Sequence, residues 1–131
     1  MISVAELDRI AKARLEDATA LLQAGRYDGA TYLCGYAVEV ALKARICRTL
    51  NWSEFPRTNK EFESYRSFQT HNLDVLLRLS GQEARVRQQY SNIWSLVAVW
   101  NPELRYNEIG TATEGDAVIM IGVVEGLLEI L

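Results

Sequence analysis

The sequence predicts an all-α protein, an antiparallel bundle of four to five helices, from three observations. Apolar residues recur in steps of three and four along several separate stretches, and no stretch shows a competing strand pattern. Residues 27–50, YDGATYLCGYAVEVALKARICRTL, hold one charge between Ala30 and Leu42, Glu39, and are apolar on every side of a helical wheel. A helix of that kind is buried on more than one face. Cap and stop residues then punctuate the chain between the periodic stretches. At 131 residues, 49% apolar and 24% charged, the chain fits a single domain over residues 1–131 that buries a core without staples.

Taken in order, Ser3 and Glu6 have the form of a capping box, so the first helix is expected from Val4. Leu7, Ala11, Leu15, Ala18 and Leu22 give it one apolar stripe, and Gly25 is a natural left-handed stop. Arg26 and Tyr27 lead into the buried helix, making an antiparallel hairpin. After Leu50 the chain turns polar, with aromatic anchors at Trp52, Phe55, Phe62, Tyr65 and Phe68. Pro56 forbids one continuous helix there, although Asn59 to Tyr65 suits a short one. Loops of such length inside a domain are unusual and often functional. Thr70 is expected to cap a helix from His71 to Leu79, closed by Ser80-Gly81. A fourth helix is expected from Glu83 to Trp100 on the stripe Val86, Tyr90, Ile93, Trp94, Val97 and Trp100, ended by Asn101-Pro102. Thr111 with Glu114, or Thr113 with Asp116, caps the last helix, Glu114 to Leu131. Gly122 and Gly126, one turn apart there, permit close contact within the chain or with a second copy.

Composition narrows the function classes. No run approaches a membrane span, and the N-terminus lacks the layout of a secretory signal. Cys34 and Cys47 face different sides of one helix, so unpaired core thiols in a reducing cytoplasm are expected. One histidine and no Cys/His cluster leave no basis for a zinc site or another metal. Residues 1–106 hold all 14 Lys/Arg against 12 Asp/Glu, whereas residues 107–131 hold five acids and no base. A net charge of −3 argues against a broad duplex-binding surface and leaves room for a local anion site.

Two constellations bear chemistry. His71, with Arg66 five residues upstream, has the elements of metal-free RNA cleavage. Imidazole takes the proton of a ribose 2′-hydroxyl, and guanidinium steadies charge on the five-coordinate phosphorus. Against this, a lone His after a Thr cap is commonly a surface or capping residue, and an Arg in a loop is commonly solvated. Glu39 and Lys43 lie one turn apart in the apolar helix, in the favourable order. Buried charges must be paired. The preferred reading is an internal ion pair, joined by Arg105 or Tyr36; the other is a polar pocket for a nucleotide or phosphate. Arg105 and Tyr106 either dock the connector or line that pocket.

Three segments together, AGRYDGATYLCGYAVEVALKA (24–44), FQTHNLDVLLRLSG (68–81) and WNPELRY (100–106), resemble the HEPN domain family. They occur in the family's order and span most of the chain. The resemblance implies a helical bundle that usually dimerises. It also implies, for many members, a metal-independent ribonuclease with Arg, four to six residues, then His; here that is Arg66-Ser-Phe-Gln-Thr-His71. Other members are partners of a minimal nucleotidyltransferase in toxin–antitoxin pairs, and some only bind nucleotide. This chain has Ser67 after the motif Arg, where active members often have Asn, Asp or His. The expected reading is a cytoplasmic, cofactor-free, homodimeric HEPN protein, the HEPN half of a prokaryotic toxin–antitoxin-like system with a separate minimal nucleotidyltransferase, cleaving RNA with Arg66 and His71. The alternative is a non-catalytic module binding a nucleotide or partner around Glu39, Lys43, Arg105 and Tyr106. An assembly scaffold built on the Gly122/Gly126 helix is the third option.

Overall fold

Packing begins with the hairpin of the two longest helices. A computed structural model describes residues 1–131, in which α1 spans Val4–Gln23 and α2 spans Tyr27–Leu50. Ser3 caps α1 by accepting from the Glu6 amide. Gly25, at φ +74°, supplies the left-handed turn that folds α2 back on α1. As its sequence demands, α2 is buried nearly all round, from Ala30 to Cys47. The last helix, α6 (Glu114–Ile130), lies on both α2 and α1. Of its two possible caps the chain uses Thr113 with Asp116, each bonded to the other's backbone amide. One apolar core of 25 buried residues runs from Leu7 to Leu127. No helix is long and apolar enough to cross a membrane.

The middle of the chain is more broken than its periodicity implies. The region expected as one helix over residues 83–100 is two, α4 (Glu83–Gln89) and α5 (Ser91–Val97). Tyr90 leaves helical geometry between them, at φ −133°, among the weak helix formers Ser91 and Asn92. The break lets α5 turn Trp94 onto Asp74, whose carboxylate accepts its indole N–H at 2.9 Å. Helix α3 is Leu73–Leu79 rather than 71–79, because Asn72 caps it by accepting from the Val75 amide. Thr70 instead accepts from the Asn72 amide, so His71 lies outside the helix. The helix count is therefore six, above the four to five expected.

Residues 59–65 form turns, not a short helix, followed by a 3₁₀ turn at Arg66–Phe68. Aromatic contacts hold this loop: Trp52 meets Tyr65 at 5.0 Å and Phe68 at 5.1 Å, and Phe55 meets Phe62 at 5.9 Å. A two-residue antiparallel ladder, β1 (Ile2–Ser3) with β2 (Glu54–Phe55), ties the loop to the chain start. Its strands are too short to leave an alternating pattern, and the sequence reading has none.

Gly35 has a packing role that its place in a helix does not announce. A Cβ there would fall 2.1 Å from Trp100 Cδ1, so the indole lies directly on the α2 backbone. Trp100 Nε1 donates to the Tyr32 carbonyl at 3.0 Å, fixing the 98–106 connector against α2. Gly122 and Gly126 are different. No atom stands within 4 Å of a Cβ at either, so their spacing serves no close contact within the chain. Cys34 and Cys47 are buried and unpaired. Burial pushes the Cys34 thiol up to about 12 and the Cys47 thiol up to about 11.

Candidate functional site

Tyr32, Tyr36, Glu39 and Lys43 follow one another on α2 in steps of four, three and four, forming a polar stripe along an otherwise apolar helix. Glu39 is the buried member, 2% exposed. A carboxylate so placed must find partners for both oxygens. Lys43 Nζ stands 3.4 Å from Oε2, in the expected one-turn pair. The third member is neither Arg105 nor Tyr36. It is His71, whose Nδ1 lies 2.6 Å from Glu39 Oε1.

This contact joins two constellations that the sequence presents separately, across 32 positions. A carboxylate only accepts, so the neutral ring bonded to it carries its proton on Nδ1 and keeps the Nε2 lone pair free. No group of the chain bonds Nε2, and the His71 side chain is 66% exposed. The ring is thus anchored on its buried edge and open on the other. Lys43 is 18% exposed, with Nζ 5.6 Å from the Phe55 ring centroid, so the loop of residues 51–70 closes over the buried side of the pair. One signal could have disclosed the arrangement. A buried Glu with a single cation on its own helix still has an oxygen to satisfy, and the chain offers one histidine.

Two cavities meet at this triad. One, of about 540 Å³, lies between α2 and the 98–105 connector, and Tyr32, Asn72, Trp100, Asn101 and Arg105 help to line it. The other, of about 840 Å³, lies under the 54–57 and 69–71 segments and takes in Lys43 and Arg57. Tyr36, Glu39 and His71 line both, so the imidazole borders two cavities at once.

The other expected residues are less uniformly placed. Arg105 lines the first cavity with Glu39 and His71, whereas Lys43 lines the second. The Arg105 guanidinium lies 5.0 Å from the Tyr106 ring centroid, and Tyr106, then Tyr32, hold its charge more firmly than usual. Tyr106 is exposed and lines neither cavity. Arg66 opens the exposed 3₁₀ turn, forms no ion pair, and lines neither cavity. Tyr32, Asn72 and Asn101 are cavity residues that sequence reasoning passed over as site members. Their spacing looks like ordinary helix and cap chemistry, and only the closing of the connector makes them neighbours.

Compared with known families, residues 4–60 fit the HEPN domain model. The matched segment covers α1, α2 and β2, including Glu39 and Lys43, and stops short of Arg66 and His71. No curated protein and no solved structure matches the chain.

Proposed function

We propose, from the premise that this chain carries a HEPN domain, that it is a metal-independent endoribonuclease whose base is His71. HEPN membership supports a nucleotide-binding or RNase-like family. The observation that carries the finer reading is the Glu39–His71 contact at 2.6 Å, on the border of two cavities. In this reading Nε2 takes the proton of a ribose 2′-hydroxyl, the 2′-oxygen forms its bond to phosphorus, and the bond to the 5′-oxygen breaks. The imidazolium so formed rests against the Glu39 carboxylate. Arg66, which has no ion-pair partner in the chain, and Arg105, which lines the first cavity, are the guanidinium groups for the phosphate. The departing 5′-oxygen needs a proton, and the chain has one histidine. A two-fold homodimer bringing a second His71 near the first would supply it. The proposed setting is the cytoplasm of a prokaryote, in a toxin–antitoxin-like pair with a separate minimal nucleotidyltransferase. Two unpaired buried thiols accord with a reducing compartment.

The second reading, a nucleotide- or partner-binding module without catalysis, is favoured by one feature: Arg66 lies outside both cavities that contain His71. End-labelled RNA incubated with the protein and a chelator separates the two. The enzyme reading expects fragments ending in a cyclic phosphate. His71→Ala should lower the rate by about 10²–10⁴-fold. Glu39→Gln, which leaves the ring but loosens its tautomer, should lower it by up to about 10⁴-fold. Intact RNA with the wild-type chain, together with nucleotide binding that survives His71→Ala, would establish the module instead.

A further inference from the structure

A third cavity, of about 560 Å³, opens beside the first His71 cavity, between the start of α2, α5, the connector and the start of α6. Its apolar side chains are turned outward. Ile109 is 100% exposed, Val99 74%, Ile119 56% and Leu96 49%, and all four line this one groove. Scattered exposed aliphatic residues are ordinary on a protein surface, but a contiguous set around a concavity marks a binding face. The rim is acidic. Asp28 and Asp116 line the groove, and exposed Glu108 stands between the lining residues Asn107 and Ile109. The Asp28 carboxyl accepts from the Gly110 amide at 2.6 Å and the Ala112 amide at 2.8 Å, which keeps it ionised well below neutral pH. Thr113 does the same for Asp116. The lone cation in the lining, Arg105, lies against Tyr106.

We propose that this groove binds a basic amphipathic helix of another protein, its apolar face seated on Val99, Ile109 and Ile119 and its Lys/Arg residues against the acidic rim. The helix-in-groove mode suits an open depression lined by exposed aliphatic side chains. Charge selects the occupant. A second copy docked through the same face would bring the same excess of acids, two in the lining against the single Arg105, to a contact that already has it. A basic segment meets them with opposite charge. The groove shares Tyr32, Val99 and Arg105 with the first His71 cavity, so its occupant would border that cavity directly. The inference does not depend on RNA cleavage.

The test uses the full chain and two labelled synthetic helical peptides with the same leucine pattern, one with Lys and one with Glu at every polar position. Fluorescence anisotropy is read with increasing salt, and self-association of the chain is followed by sedimentation. The Lys peptide should bind at least about tenfold more tightly than the Glu peptide, with a preference that shrinks as salt rises. Glu108→Lys should narrow that preference. The double variant Val99→Ser/Ile119→Ser, with unchanged circular dichroism, should lose Lys-peptide binding. Equal binding of the two peptides, binding that survives the double variant, or no binding would overturn the proposal. So would a dimer of the wild-type chain that the double variant converts to monomer, which would give the face to a second copy.

Discussion

Helices of 20 and 24 residues fill nearly all of residues 4–50, whereas no helix between residues 51 and 113 exceeds 7 residues. The first region is a regular hairpin that the HEPN model matches; the second is turns, caps and short helices bound by aromatic and polar contacts. Each holds half of the candidate site. Glu39 and Lys43 stand on the regular helix, and His71 and Arg105 come from the irregular segments laid over it. The contrast suggests a division of labour. The hairpin supplies a rigid rail with a buried charge, and the irregular region brings reactive and recognising groups to that rail, as loops on a scaffold commonly do.

Substitutions can break that division, the largest effects falling on the rail. Leu42, fully buried on α2, should cost about 2–5 kcal/mol when changed to Ala, because the hairpin cannot collapse around the void. Thermal unfolding would register it as a fall in Tm across the whole chain.

Gly35→Ala attacks the seam between the regions. The added methyl meets the Trp100 indole, and overpacking of this kind costs about 1–3 kcal/mol. Combining it with Trp100→Ala sharpens the comparison. The double variant should lose less than the sum of the two single losses, since the methyl then has no ring to strike. Additive losses in urea unfolding would mean that the seam is not where the strain arises.

A smaller effect belongs to the irregular region alone. Asn72→Ala removes the cap of α3 and should cost about 0.5–2 kcal/mol. His71 sits next to that cap. The Glu39–His71 contact should therefore loosen, which the His71 ring resonances would report as a change in tautomer balance by ¹⁵N NMR.

The smallest effect concerns the two thiols of α2. Their pKa values are raised, so the folded chain keeps both protons over a pH range in which the unfolded chain, with thiols near ~8.5, has lost them. Their linkage leaves stability unchanged below that value and lowers it as pH rises toward 11–12. At pH 8, alkylation of the folded protein should be slow at both and slower at Cys34 than at Cys47. Equal rates, matching those in denaturant, would show that α2 opens readily.

Much of this molecule was legible in the order of its residues. The hairpin, the buried character of α2, the Glu39–Lys43 pair and the acid-capped last helix all follow from spacing within a turn or two, where local geometry is fixed by the helix itself. The reading failed where the deciding partner lay far along the chain. A continuous stripe over residues 83–100 could not reveal the break at Tyr90, which the Asp74–Trp94 bond accompanies. A plausible Thr cap could not show that Asn72 would start α3 instead.

The sequence by itself determined which segments are helical and which helix must be buried, because hydrophobic periodicity and caps act over a few residues. Tertiary structure alone decided that His71 rather than Arg105 completes the Glu39 pair, that Trp100 occupies the space Gly35 leaves, and that the apolar residues of α5, the connector and α6 share one open groove. Those outcomes depend on which surfaces meet when the chain closes. A buried carboxylate accepts whichever donor the closed chain carries to it, and no local pattern names that donor in advance.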